Sequence, residues 1–252
     1  MDEKKFKRHS GKFADITAFL AERRKLYIFV DFDGTISKIV KTPAKAVPLE
    51  GAVAALKRLK KKSNIKIAVV SGREISFLRK FFPRGFTLVG CHGAEIVDGG
   101  IAFSRSLSAV QKKVKDLTAA FFRAAVFEGI FMEEKKYSLA LHYRNMSLKN
   151  SAVLLAAVKE MEPALGEFSL EILSGRKVVE IRAKGVGKGK AVRKLAAAAK
   201  HYESVYFGDD ETDEDVFRLA GVTGIKIGAG KTAARFRLDS PADAVKVIGG
   251  LV

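Results

Sequence analysis

Asp31 and Asp33 stand one residue apart in LYIFVDFDGT, residues 26–35, at the end of an apolar run and just before a Gly-Thr turn. Two carboxylates in one small pocket repel each other, so the pair calls for a hard cation between them or for one carboxyl kept protonated as an acid. A solvated Asp-Gly turn is the plain alternative. Three further places narrow the choice. The apolar run IKIAVV, 65–70, ends in Ser71-Gly72-Arg73, where a hydroxyl and free N–H groups at a strand-to-helix turn can hold a phosphate oxygen. Lys188 lies where a glycine-broken segment enters an alanine-rich helix, and a lysine there supplies a point positive charge close to backbone donors. The short run Val205 to Phe207 leads through Gly208 into an acidic stretch, Asp209 to Asp215, that points to a divalent cation site. Each has a bland reading: an N-cap for Ser71, a solvated lysine, favourable charge at a helix N-terminus. All four at successive strand ends argue for one reaction centre.

The elements that must position these residues follow from the hydrophobic pattern. Leu26 to Val30 is too short for a helix and rich in strand formers, so its carboxylates emerge at a strand's C-terminal end, where open α/β sheets bind ligands. A helix at 49–61, a strand at 65–70, a helix at 74–81 and a strand at 87–89 make repeated βα units and hence a parallel sheet. Gly99-Gly100 fits a hairpin turn after a strand at 95–97. From about Ser104 the pattern changes to helix 107–127, strands 130–133 and 137–144, helix 149–161, and strands 168–173 and 177–182. That order, αββαββ, is a small sheet with two helices on one face: a separate lid-like domain with natural hinges near Ser104 and Ala183. Helix 189–200, strand 205–207, helix 214–219 and strand 224–227 then return to the parallel sheet. The expected organisation is a core over 1–104 and 183–252 with an inserted domain at 105–182. Inside the insert, Leu139, Leu141 and Tyr143 share one face, while Ser138, His142 and Arg144 share the other. Glu180 and Arg182 fall together opposite Val179 and Ile181. A polar sheet face of this kind suits a sugar, with Glu133, Lys135, His142 and Glu180 as candidates, although cross-strand ion pairs on a solvated face would look the same.

DFDGT, Ser71, Lys188 and GDDETDED resemble, in order, the four motifs of the haloacid dehalogenase (HAD) phosphotransferases. Within that superfamily SGR (71–73), GCHGAE (90–95), EEKKYSLALHYR (133–144), VVEIRAKGVGKGKAV (178–192) and GDDETDE (208–214) resemble the trehalose-6-phosphate phosphatase family over roughly residues 25–245. The resemblance implies an α/β fold: a Rossmann-like parallel-sheet HAD core with an inserted α+β cap of type IIB. It implies a Mg²⁺-dependent phosphomonoesterase, a trehalose-phosphatase of trehalose biosynthesis. Asp31 would be the nucleophile and Asp33 the acid and base, with Ser71 and Lys188 on the phosphoryl oxygens. Mg²⁺ would be held by Asp31, the Asp33 carbonyl and Asp209, with Asp210 and Asp213 orienting ligand waters and Lys188. Gly34, Thr35, Gly72 and Arg73, together with Glu133, Lys135, His142, Arg144 and Glu180, would bind the substrate. A phosphatase for sucrose phosphate or mannosyl-3-phosphoglycerate would carry the same motifs, and a basic binding protein on an inactive scaffold is the reading from another class. Departures are small: Ile36 follows DFDGT where leucine is usual, and Ala183 replaces the proline that commonly follows EIR.

The 252 residues suffice for a buried core, and no stretch approaches the roughly 20 apolar residues of a membrane span. The N-terminus lacks a signal-peptide apolar region, so a cytoplasmic monomer acting on a small sugar phosphate, with no nucleic-acid or membrane partner, is expected. The net charge of +18 is large, but runs such as Lys57 to Lys62, Lys112-Lys113 and Lys115 read as solvated helix faces without stacking aromatics. That charge would steer an anionic substrate. The single cysteine, Cys91, excludes an intrachain disulfide and reads as a small buried residue. Two further patterns fail. Gly185 to Lys190 has Lys184 and Ala191 where a P-loop needs glycine and Ser/Thr, and Gly228 to Ala233 leaves too little chain for a dinucleotide fold.

Overall fold

The computed structural model describes residues 13–40, 42–98, 101–104, 108–125, 127–175 and 177–252. The chain divides into two compact units, Met1–Ser104 with Gly187–Val252, and Arg105–Val186. The second boundary falls at Gly187 and not at Ala183, because the turn after the last small-unit strand stays tied to it: Lys184 N–H donates to the Ser169 carbonyl at 2.7 Å.

The large unit contains α1 (Phe13–Ala21), β1 (Leu26–Asp31), α2 (Ala52–Leu59), β2 (Ile65–Val70), α3 (Ile75–Leu78), β3 (Thr87–Gly90), β4 (Glu95–Asp98) and β5 (Ile101–Ser104). The Gly99-Gly100 turn expected between β4 and β5 lies outside the described residues, as does the expected helix start at Leu107. The small unit contains α4 (Ala109–Ala124), β6 (Phe131–Glu134), β7 (Ser138–His142), α5 (Leu148–Glu167), β8 (Leu170–Gly175) and β9 (Val178–Ala183). The large unit then resumes with α6 (Lys188–Ala198), β10 (Glu203–Gly208), α7 (Glu214–Phe217), β11 (Val222–Ile227), β12 (Phe236–Leu238) and α8 (Pro241–Gly250).

The large sheet runs β12-β11-β10-β1-β2-β3-β4-β5; the pairs from β12 to β3 are parallel, and β4 and β5 are antiparallel. β1 is central and buried along its whole length, as a continuous apolar run on a two-sided sheet must be. One sheet face, with Ile28, Val30 and Phe207, packs on Ile16 of α1, Leu56 of α2 and Val247 of α8. The other, with Tyr27, Phe29 and Tyr206, packs on Val192 of α6 and Phe217 of α7. In register, Val30 lies opposite Phe207 and Asp31 opposite Val70, so the residues after these strands gather at one end of the sheet. That register is what brings Asp31, Ser71 and Asp209 to the same edge.

The small sheet, β6-β7-β9-β8, is antiparallel throughout. Leu139, Leu141, Val179 and Ile181 cover one face with Phe122 of α4 and Leu154 and Val158 of α5. α5 runs past Pro163 to Glu167, beyond the expected end at Met161, because Leu165 is buried in the same core and holds the last turn in place. Lys115 departs from the solvated-face expectation: it is buried, and its Nζ donates to the Lys135 carbonyl at 3.1 Å. Among the described residues no helix is long and apolar enough to cross a membrane.

Candidate active site

Asp31 ends β1 fully enclosed, and its carboxylate is held from two sides. Lys188 Nζ donates to Oδ1 at 2.9 Å and the Thr35 hydroxyl donates to Oδ2 at 3.3 Å. Thr35, expected to touch substrate, therefore orients Asp31. Lys188 opens α6 one residue before the expected helix start at Gly189, with Gly187 at the N-cap. Burial opposes its charge, but Asp31, Asp213 and Asp210 outweigh that effect and hold the ammonium protonated, its pKa well above the usual lysine value.

The acidic stretch after β10 folds around Asp213. Its Oδ1 accepts from Lys188 Nζ at 2.8 Å and from the Tyr206 hydroxyl at 2.5 Å, and its Oδ2 accepts from the N–H groups of Asp209 and Asp210 at 2.9 and 3.0 Å. A carboxylate has about four acceptor sites, so Asp213 is saturated by protein donors. Asp210 makes the turn: its Oδ1 accepts from Thr212 Oγ1 at 2.7 Å and from Asp213 N–H at 3.2 Å. Burial raises the Asp210 carboxyl, but Lys188 and these donors prevail and its pKa is lowered.

Asp31, Asp209 and Asp213 present carboxylate oxygens within 4.8 Å of one another. Because Asp213 is already satisfied, the pair left to share a cation is Asp31 and Asp209, whose hard oxygen donors suit Mg²⁺. Burial, then Asp210 and Asp213, push the Asp209 carboxyl up to about 7 against the pull of Lys188 and Lys226. Burial likewise raises Asp31 well above the carboxylate range, with Lys188 opposing and the three neighbouring acids reinforcing the rise. A divalent cation between them would relieve this repulsion, so the donor set fits the metal that the resemblance implies. Gly34 is required here: a Cβ on it would lie 2.0 Å from Asp209 Oδ2, and its φ of +72° is a left-handed conformation.

Asp33 has a different environment. It lies past the end of β1, and Arg73 holds its carboxylate in a fork, Nε to Oδ2 and Nη2 to Oδ1, both at 2.6 Å. The Arg73 guanidinium also sits 4.3 Å from the centre of the Phe77 ring. Arg73, expected on the substrate, is thus the partner of the expected acid. Ser71 is buried, and its hydroxyl accepts the Arg73 N–H at 3.1 Å, a turn bond that leaves its own proton for another acceptor. Gly34, expected at the substrate, donates its N–H to the Ser37 carbonyl at 2.9 Å, closing the turn bridged by Asp33 and Ser37. Gly72 backs onto His92, whose ring lies 2.4 Å from where a Cβ would stand. Cys91 is half-buried, not fully buried as expected, and its Sγ lies 3.8 Å from Glu95 Oε2.

In the small unit, register sets Glu133 and Glu180 on either side of Ala140. Glu180 accepts from the Ser138 hydroxyl and lies 3.5 Å from Lys135 Nζ; Lys135 in turn is 3.8 Å from Glu133, which meets His142 Nε2 at 3.1 Å. Glu133, Lys135, His142 and Glu180 therefore form one polar network. Arg144 does not join this sheet face: β7 ends at His142, and Arg144 stands exposed in the following turn. Arg182 pairs with Glu171 at 3.0 Å.

Tyr206 and Lys226 were not anticipated. Tyr206 alternates with apolar residues in VYF and reads as core, while Lys226 in IKI is a charge inside an apolar strand, a signal that burial makes meaningful. The Lys226 ammonium is buried and donates to the Asp209 carbonyl.

A family model described as trehalose-phosphatase matches residues 29–241. An uncharacterised glycosyl hydrolase of Mycobacterium tuberculosis is 34% identical over 251 residues, which cover 91% of this chain and 18% of that protein. The trehalose-phosphate phosphatase of Mycobacterium marinum is 34% identical, with 89% of this chain and 60% of that protein covered. The chain thus spans 60% or less of the length of these relatives. A trehalose-6-phosphate phosphatase structure from Aspergillus fumigatus superposes with a TM-score of 0.77 at 26% identity, covering 96% of this chain and 97% of that one.

Proposed function

This chain belongs to the trehalose-phosphatase family, and on that footing we propose that it hydrolyses trehalose 6-phosphate to trehalose and phosphate. The observation that carries the proposal is the enclosed Asp31, held by Lys188 at 2.9 Å and grouped with the Asp209 carboxylate. An enclosed carboxylate oriented by Lys188 and Thr35 is a positioned nucleophile, and a cation shared with Asp209 would keep it ionised.

Hydrolysis of a phosphate monoester needs an in-line nucleophile, neutralised phosphoryl oxygens and a proton for the leaving alkoxide. An Asp31 oxygen forms the new O–P bond while the bond from phosphorus to the sugar oxygen breaks. Asp33 gives its proton to that sugar oxygen, then takes one from the water that cleaves the aspartyl-phosphate, which restores both carboxyl groups and releases inorganic phosphate. To do so Asp33 must exchange its fork with Arg73, which is then released to the phosphoryl oxygens beside Ser71 and Lys188. Mg²⁺, when bound, would be held by the Asp31 and Asp209 carboxylates and the Asp33 carbonyl, and supplies positive charge against the phosphoryl oxygens. Asp213 and Asp210 keep Lys188 and the Asp209 loop in position. The network of Glu133, Lys135, His142 and Glu180 supplies fixed donors and acceptors for sugar hydroxyls. A monomer working in the cytoplasm, where sugar phosphates are made, completes the proposal.

Phosphate release with Mg²⁺ across trehalose 6-phosphate, sucrose 6-phosphate and glucose 6-phosphate tests the substrate. The proposal expects the highest kcat/KM for trehalose 6-phosphate. A preference for either other sugar would reassign the substrate, and no release from any of them would leave a binding protein.

A further inference from the structure

Asp209 reaches Asp31 from a loop whose backbone must be held against carboxylate repulsion. The Asp209–Asp210 peptide is gripped at both ends. Its N–H, on Asp210, donates to Asp213 Oδ2 at 3.0 Å, and its carbonyl, on Asp209, accepts from the Lys226 ammonium. Asp213 is itself fixed by Lys188 and Tyr206. The peptide dipole therefore lies between a carboxylate and an ammonium, each on the side its partial charge favours.

Lys226 has no bland explanation in packing. It sits in β11 between Ile225 and Ile227, both in the apolar core, and is itself buried. Burying an ammonium is costly unless it is paired and hydrogen-bonded. Its described acceptor is a backbone carbonyl, and that carbonyl belongs to the residue that faces Asp31. A methionine would fill the same strand position without desolvating a charge, so packing alone does not call for lysine.

We propose that Lys226 is a positioning residue for the metal site: it fixes the Asp209–Asp210 peptide so that the Asp209 carboxylate is preorganised beside Asp31. The inference rests on the Mg²⁺ reading above. Lys226 acts through the Asp209 carbonyl, as partners behind a metal ligand do.

The test is Mg²⁺ affinity read without turnover, from the rise in melting temperature of the full chain as MgCl₂ is titrated, for wild type, K226R, K226Q and K226M. The expected result is about a ten-fold or greater weakening of apparent Kd in K226M, with K226Q intermediate and K226R nearest to wild type. At saturating Mg²⁺ the KM for the sugar phosphate stays unchanged and kcat recovers toward wild type in each folded variant. Wild-type Mg²⁺ affinity in K226M overturns the inference. Should K226M not fold, equal affinities in K226Q and K226R overturn it in the same way. A kcat that no Mg²⁺ concentration restores would make Lys226 a residue of the fold alone, and also overturns it. Absence of any Mg²⁺-dependent shift in wild type removes the metal reading itself, and this inference with it.

Discussion

At the scale of single residues, the acids of this site are separated by what their oxygens already hold. Asp31, Asp33, Asp209, Asp210 and Asp213 look alike in a sequence, yet Asp213 accepts four protein hydrogen bonds, Asp33 is forked by Arg73, and Asp31 and Asp209 share a crowded pocket. Asp213 is the clearest case for substitution. An amide in its place could not accept from Lys188, Tyr206 and both loop N–H groups together, and one of two buried partners would remain charged. Removing one member of a buried pair costs about 3–5 kcal/mol, so Asp213→Asn is expected to lower unfolding free energy by that order in urea titration. Stability unchanged from wild type would mean that Lys188 and Tyr206 find other acceptors. The sequence made the residue types legible but not these partnerships, because hydrogen-bond saturation depends on residues such as Tyr206 that alternate inconspicuously through a core strand.

At the scale of elements, the strand-end carboxylates, the αββαββ insert and the parallel sheet were all readable, since each rests on periodicity and strand length. The continuous apolar runs of β1 and β2 and the alternation in β7 and β9 left little freedom. What escaped were α1, β12 and α8, elements near the ends of the chain whose formation depends on tertiary burial. α8 shows why: Ser240 caps it by accepting from Asp243 N–H and Pro241 opens it, but it is Val247 and Ile248 meeting the sheet that secure it. Arg144 leaves the expected sheet face because β7 ends at His142 and gives way to a turn. The small sheet also carries a prediction. Truncating His142 or Glu180 to alanine breaks the polar network while leaving the apolar face intact, so kcat/KM for trehalose 6-phosphate should fall about ten-fold or more, an effect the size of one lost charged hydrogen bond. Hydrolysis of a small aryl phosphate should change little. Equal losses on both substrates would make these residues supports of the sheet and not readers of the sugar.

At the scale of the whole molecule, the acidic cluster links stability to pH and metal. Without a metal, burial and the neighbouring Asp210 and Asp213 push the Asp209 carboxyl up to about 7, above the ~4 of an unfolded aspartate. The folded chain therefore keeps a proton that the unfolded chain releases across that interval. Stability from this group is full below about pH 4 and is lost as pH rises through about 7. Asp209→Asn does not titrate, so in EDTA its melting temperature should gain on wild type between pH 5 and pH 8; a constant difference would refute the linkage. With Mg²⁺ present, wild type should recover what it loses and the variant should not. The central claim is that Asp31 is the nucleophile of a phosphomonoesterase, and the most direct measurement is release of inorganic phosphate from trehalose 6-phosphate by wild type and Asp31→Asn, both shown folded by circular dichroism. Steady Mg²⁺-dependent turnover by wild type, with loss of about 10⁴-fold or more in the variant, is the predicted result. Comparable turnover by the variant would contradict it.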